Sequence, residues 1–208
     1  MIKAVIFDMD GVLIEAKDWH YEALNKALNL FGYNISRFDH LTKFDGLPTK
    51  DKLNMLSAEY SLPVELHEFI NEMKQKYTME IVHTKCKPLF IHEYALSKLK
   101  SEGFKLAVAS NSIKNTVITM MEKAALSSYL DFMLSNEDVK KGKPDPEIYV
   151  KAMDVLGIKP YECVVVEDNE NGIRAAKAAG AHVMPVNEVT DVIYRNISEF
   201  IKSVEERK

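Results

Sequence analysis

The sequence predicts an α/β fold, a doubly wound, Rossmann-like parallel sheet carrying an all-helical insert, and three observations lead there. Short apolar runs rich in β-branched residues stand at Ala4–Phe7, Lys105–Ala109, Phe132–Leu134, 163–166 and His182–Pro185. Helix-length segments separate the later runs, the pattern of a parallel sheet covered on both faces. Between Gly11 and Pro88 the strand signals vanish and helical periodicity takes over.

The first run leads straight into Asp8-Met9-Asp10-Gly11-Val12. Alternation along a strand sends Asp8 and Asp10 to one side at its carboxyl end, where open parallel sheets place ligands, and Gly11 lets the chain turn away. In the insert, residues 19–31 read as a helix with Leu24, Ala27, Leu28 and Phe31 on one face. Residues 63–77 read as another, with Leu66, Phe69, Ile70 and Met73 aligned, and both stripes predict packing inside the insert. A helical stretch stopped by Gly103 precedes the second run. Asp145-Pro146-Glu147 opens a further helix, with an acid at the N-cap and proline at the first helical position, running to about Leu156 before Gly157. Residues 169–179 form another, ended by Gly180. The expected organisation is a core of residues 1–14 and 86–208 interrupted by a helical unit at 15–85, with Glu205-Glu206-Arg207-Lys208 as a frayed end.

A balance of 27 basic against 31 acidic residues gives a formal net charge of −4, without the electropositive footprint of a nucleic-acid binder. Lys3 lies in the first run and the apolar stretch stops at Asp8, so neither a signal peptide nor a membrane span is expected. The expectation is a cytoplasmic monomer with no nucleic-acid or membrane partner. Cys86 and Cys163 stand alone, outside any CxxC pattern, and read as buried filler rather than as zinc ligands or a disulfide.

Asp8 and Asp10 are the chemical centre of the sequence. Two carboxylates this close repel, so one holds a proton or a cation neutralises the pair, which suits a site needing one nucleophilic and one proton-carrying carboxylate. By itself the segment reads equally well as a strand ending in an Asp-rich turn. Three further motifs accompany it: Ser110-Asn111-Ser112 after the second run, Lys141-Gly142-Lys143-Pro144-Asp145-Pro146 before a helix, and Glu167-Asp168-Asn169 after the fourth run, within a long match over residues 165–180. Together and in this order they resemble the haloacid dehalogenase superfamily, in its magnesium-dependent, helical-cap, β-phosphoglucomutase-like phosphatase branch. The resemblance covers essentially the whole chain.

That resemblance implies a small phosphorylated metabolite as substrate, Mg²⁺ as cofactor and an aspartyl-phosphate intermediate. Asp8 would attack phosphorus, dividing one difficult displacement into two, and Asp10 would protonate the leaving alkoxide and later deprotonate water. Asp8, Asp168 and the carbonyl of Asp10 would hold the metal, with Glu167 ligating directly or through water; an all-oxygen set suits Mg²⁺. Ser110 and the N–H of Asn111, at a helix start, would bind phosphate oxygens, and Lys143 would neutralise phosphate and bridge toward Asp8. Taken singly, Ser110-Asn111-Ser112 is a helix N-cap, Lys141 and Lys143 are surface lysines and Glu167 is a helix N-terminal acid.

The insert departs from its relatives. His20 matches a histidine of mutase-like relatives, although a satisfied core histidine is the plainer reading, and Trp19 is assigned to packing. Gly46-Leu47-Pro48-Thr49-Lys50-Asp51 resembles the specificity loop of the cap. Thr49, however, stands where β-phosphoglucomutase-like relatives carry an arginine that grips a second phosphate, and Lys50 replaces that fork only in part. Glu15-Ala16-Lys17 replaces the usual Asp-Ser or Asp-Thr beyond the nucleophile, and Pro88-Leu89 the usual Pro-Gly. His20, Thr49 and Lys50 are the candidate cap contacts, with Lys76 and His83 behind them. A phosphatase is therefore expected ahead of a mutase, which must hold two phosphates. A metal-free dehalogenase is disfavoured by Asp10 and the Glu167-Asp168 pair, and a catalytically silent binding module would need a broken motif, where none is broken.

Overall fold

The computed structural model describes residues 1–206. Along the chain run β1 (Ala4–Phe7), α1 (Lys17–Leu28), α2 (Arg37–Asp39), α3 (Thr49–Tyr60), α4 (His67–Lys85), α5 (Phe90–Ser101), β2 (Lys105–Ala109), α6 (Lys114–Lys123), β3 (Phe132–Leu134), α7 (Glu147–Leu156), β4 (Cys163–Glu167), α8 (Glu170–Ala178), β5 (His182–Pro185) and α9 (Tyr194–Glu206). They fall into two compact units, Met1–Glu15 joined with the chain from Lys87 onward, and Ala16–Cys86.

The first unit is a five-stranded parallel sheet in the order β3-β2-β1-β4-β5. β1 is the middle strand and wholly buried. Chain direction along the sheet reverses between β1 and β4, so the carboxyl ends of β1, β2 and β4 meet at the topological switch point where such sheets bind ligands. Ile6, Ala107 and Val165 share a core with Ile148, Tyr149 and Ala152 of α7 and with Ala175 and Ala176 of α8. The alternate residues Val5, Phe7, Leu106 and Val108 are buried on the opposite face. Burial on both faces is why these strands read as unbroken apolar runs.

The connections follow local chemistry. The N–H of Glu147 donates to Asp145 Oδ1 at 3.0 Å, while Pro146 occupies the N-cap, one position earlier than expected. α7 stops at Gly157, whose φ of 63° is the left-handed conformation that glycine adopts without strain. α6 starts only at Lys114, with Ile113 as its N-cap, so Ser110 and Asn111 lie in the turn before the helix and not in its first turn. At the other end of the unit, Glu205 is no frayed residue: its Oε1 accepts the N–H of Ile2 at 2.7 Å. Arg207 and Lys208 lie outside the described residues.

In the second unit, Leu24, Ala27 and Leu28 of α1, Leu53 and Leu56 of α3 and Ile70 of α4 pack with Ile35, Phe44 and Leu62. Two members of the expected stripes leave this core. Phe31 is 37% exposed and Phe69 45% exposed, and their rings meet edge to face at 5.7 Å. α1 ends at Leu28, and a tighter turn over Asn29–Phe31 rotates Phe31 off the buried face. α4 begins only at His67 after a similar turn, Val64–Leu66, and its buried line runs through Ile70, Lys74, Thr78 and Val82.

Among the described residues, no helix is long and apolar enough to cross a membrane. Cys86 and Cys163 are buried and not joined in a disulfide, and burial pushes the Cys163 thiol up to about 12.

Candidate active site

Asp8 is the first residue beyond β1, and its N–H still donates to the carbonyl of Val166 at 3.0 Å, which fixes it beside β4. Lys143 Nζ lies 2.5 Å from Asp8 Oδ1 and 2.6 Å from Glu167 Oε1, with all three side chains buried. The sequence placed Lys143 near Asp8; its second partner, Glu167, is a finding of the structure.

Lys143 is delivered by a loop that other side chains hold. Asn111 clamps its backbone: Oδ1 accepts the Lys143 N–H at 2.9 Å and Nδ2 donates to the Lys143 carbonyl at 3.2 Å. A β-carbon on Gly142 would stand 2.7 Å from Asn111 Oδ1, so only glycine allows that approach. The Glu147 carboxylate accepts the N–H groups of Lys140 and Lys141, both at 3.0 Å. The Lys141 side chain itself is largely solvated, as a surface lysine should be. On the neighbouring loop, Ser110 Oγ accepts the Ser112 N–H at 3.0 Å, and Ser112 Oγ donates to Asp10 Oδ2 at 3.0 Å.

Glu167 closes β4 with its carboxylate turned inward. Oε1 accepts from Lys143 Nζ and from the Tyr149 hydroxyl, both at 2.6 Å, and Oε2 accepts the N–H groups of Asp168 at 3.1 Å and Asn169 at 3.3 Å. Burial, then the charges of Glu167 and Asp8, pushes the Tyr149 phenol well above its ordinary value, so it remains a donor. Sequence reasoning missed Tyr149, although a phenol on the buried face of α7, beside Ala152 and Met153, needs a polar partner.

The site is electronegative. Burial pushes the Asp8 carboxyl well up; Lys143 opposes this, while Glu167, Asp168 and Asp10 add to it. Burial disfavours the Lys143 ammonium, but Asp8 and Glu167 outweigh that and hold its pKa above the usual lysine value. Asp8, Glu167 and Asp168 each offer a carboxylate oxygen, all within 4.8 Å of one another. One ammonium among four carboxylates leaves a net negative charge, and hard oxygen donors at this spacing could hold a divalent cation such as Mg²⁺.

The candidate residues of the helical unit are placed differently. Thr49 opens α3 and is half-buried; Lys50, Lys76 and His83 are exposed. Trp19 and His20 are half-buried on α1, and Lys74 Nζ lies 3.3 Å from His20 Nδ1. The buried lysines described in this unit are Lys52 and Lys74, each 8% exposed, and neither is among the sequence candidates. Each interrupts an apolar line, Lys52 beside Leu53 and one turn before Leu56, Lys74 between Ile70 and Thr78; a charge inside such a stripe was the available signal.

A family model for haloacid dehalogenase-like hydrolases matches residues 5–186. A phosphorylated carbohydrates phosphatase from Thermotoga maritima is 33% identical over 182 residues, covering 86% of this chain and 82% of that one. A phosphoglycolate phosphatase from Aquifex aeolicus is 32% identical over 181 residues, with the same coverage of 86% and 82%. Among solved structures, a β-phosphoglucomutase from Clostridium difficile superposes with a TM-score of 0.83 at 25% identity, covering 98% of each chain.

Proposed function

Because the chain belongs to the haloacid dehalogenase-like hydrolase family and is a phosphoric monoester hydrolase, we propose that it hydrolyses a small phosphorylated carbohydrate through an aspartyl-phosphate on Asp8, with Mg²⁺ as cofactor. The observation that carries this reading is the buried Asp8, held at the switch point of the sheet by Lys143 at 2.5 Å with Glu167 and Asp168 beside it. The carbohydrate class is supported by the activity for which the Thermotoga relative is named.

Asp8 and Asp168, with the carbonyl of Asp10, would hold the cation next to Glu167. Bound there, it would supply charge neutralisation for the phosphoryl oxygens and the surrounding carboxylates. The residues of the chain perform the rest. Asp8 attacks phosphorus while the bond from phosphorus to the ester oxygen breaks, and Asp10 delivers a proton to that oxygen. Lys143, fixed by Asn111 and Glu167, places a point charge where negative charge builds on the transferring group. Ser110 and the N–H of Asn111 orient the phosphoryl oxygens from the turn that precedes α6. Asp10, steadied by Ser112, then takes a proton from the water that cleaves the aspartyl-phosphate and releases inorganic phosphate.

A panel of phosphorylated metabolites assayed for phosphate release tests the activity and the substrate class together. Asp8→Asn should lower turnover by several orders of magnitude, and EDTA should abolish it. Full activity in EDTA would contradict the metal. A transfer between two sugar positions is the second reading, favoured by the likeness to the Clostridium difficile β-phosphoglucomutase and opposed by the uncharged Thr49.

A further inference from the structure

The Tyr149 hydroxyl belongs to the site but has no task in the mechanism above. It is wholly buried, and its partner Glu167 Oε1 is the same atom that holds Lys143. The face of the Tyr149 ring also lies 4.8 Å from Lys143 Nζ, so ring and hydroxyl act on one ammonium from two directions. A carboxylate offers about four acceptor positions, and Glu167 has four donors: two N–H groups at the start of α8, Tyr149 and Lys143.

We propose that Tyr149 is a positioning residue: its hydroxyl fixes the Glu167 carboxylate so that Lys143 stays shared between Glu167 and Asp8. The proposal rests on the reading of Asp8 and Lys143 as phosphoryl-transfer residues. The two backbone donors tie down Oε2, and the orientation of Oε1 then depends on Tyr149. With the hydroxyl removed, one position on Oε1 falls empty and the carboxylate draws the ammonium toward itself. Lysine carries a compact charge on a flexible stem, so its Nζ is easily displaced from Asp8.

The test is a double-mutant cycle of Tyr149→Phe and Glu167→Gln, read on p-nitrophenyl phosphate turnover, on affinity for inorganic phosphate in Mg²⁺, and on melting temperature. Tyr149→Phe should lower kcat roughly tenfold and raise KM by no more than about fivefold. In the Glu167→Gln background the same substitution should change kcat less than about twofold, because the hydroxyl acts through Glu167. Equal losses in both backgrounds would reduce Tyr149 to core packing, and a wild-type kcat in Tyr149→Phe would also overturn the proposal. If Glu167→Gln does not fold, Glu167→Asp, one methylene shorter, serves as the second background. A wild-type protein that binds inorganic phosphate yet hydrolyses no monoester defeats the phosphatase reading alone. The cycle is then decided on phosphate affinity, with about fivefold weaker binding expected in Tyr149→Phe and almost none of that loss once Glu167 is replaced. A wild type that neither binds phosphate nor turns over defeats both.

Discussion

Gly172 faces the Glu167 carboxylate so closely that a β-carbon on it would overlap both carboxylate oxygens. Glu167 cannot step aside freely, since four donors hold it. Gly172→Ala must therefore break at least one of those hydrogen bonds or push α8 off the sheet. Inside a helix the same exchange ordinarily stabilises by roughly 0.5–1 kcal/mol. Here a loss of about 1–3 kcal/mol is expected, with a parallel fall in turnover. Urea unfolding of the two proteins decides the sign, and a stabilised variant would show that Glu167 is held loosely.

Asp10 accepts from Ser112 Oγ at 3.0 Å, which separates the acid from its orientation. Asp10→Asn should lower turnover of an alkyl phosphate by about 10²–10⁴-fold. The loss should shrink on p-nitrophenyl phosphate, whose leaving group needs less protonation. Ser112→Ala keeps the carboxyl and removes one hydrogen bond, so a loss of roughly 2–10-fold is expected on both substrates. An alkyl phosphate turned over by Asp10→Asn at the wild-type rate would leave Asp10 a purely structural residue.

In the helical unit, His40 is 2% exposed, its ring lies tilted by 38° against that of Tyr21 with centroids 4.9 Å apart, and neither ring nitrogen is hydrogen-bonded. Burial, then the Lys52 ammonium, pushes its pKa down to about 4 from the ordinary histidine value of 6.5. Between those values the unfolded chain binds a proton that the folded chain refuses. His40 therefore leaves stability intact above pH 6.5 and removes it as the pH falls toward 4, by up to about 3 kcal/mol. His40→Leu, which cannot titrate, should gain on the wild type across that window. Urea midpoints at pH 7, 5.5 and 4.5 measure the gain, and parallel curves would show that His40 takes up its proton without unfolding.

The middle of the sheet was legible because β1, β2 and β4 are buried on both faces, so that composition alone marks Lys105–Ala109 or Cys163–Glu167 as strands. The carboxyl-end motifs were legible because parallel topology brings strand ends together wherever the strands lie in sequence. Phe31 and Phe69 were misread because tight turns at the helix ends change the phase of the pattern, which periodicity alone does not register. The grip of Asn111 on Lys143 spans 32 residues and that of Tyr149 on Glu167 spans 18, and no local pattern encodes either pairing. Lys52 and Lys74 were within reach of the sequence, since each places a charge inside an apolar stripe, whereas Lys50 of the loop motif is exposed.

On the proposed reading, Thr49 is the residue that separates hydrolysis from transfer. It opens α3 without a charge, and the neighbouring Lys50 is exposed, so neither supplies the planar, bidentate fork that grips a second phosphate. Lys52, on the buried face of the same helix, offers a point charge only. Losing a charge-assisted bidentate contact of roughly 1.5–3 kcal/mol should favour water over a sugar hydroxyl as acceptor by about 10–100-fold. With β-glucose 1-phosphate and a bisphosphate primer, phosphorus NMR should therefore show inorganic phosphate accumulating with little glucose 6-phosphate. Thr49→Arg should raise the share of isomer, because it restores the missing fork. Rapid formation of glucose 6-phosphate without phosphate release in the wild type would reverse the order of the two readings.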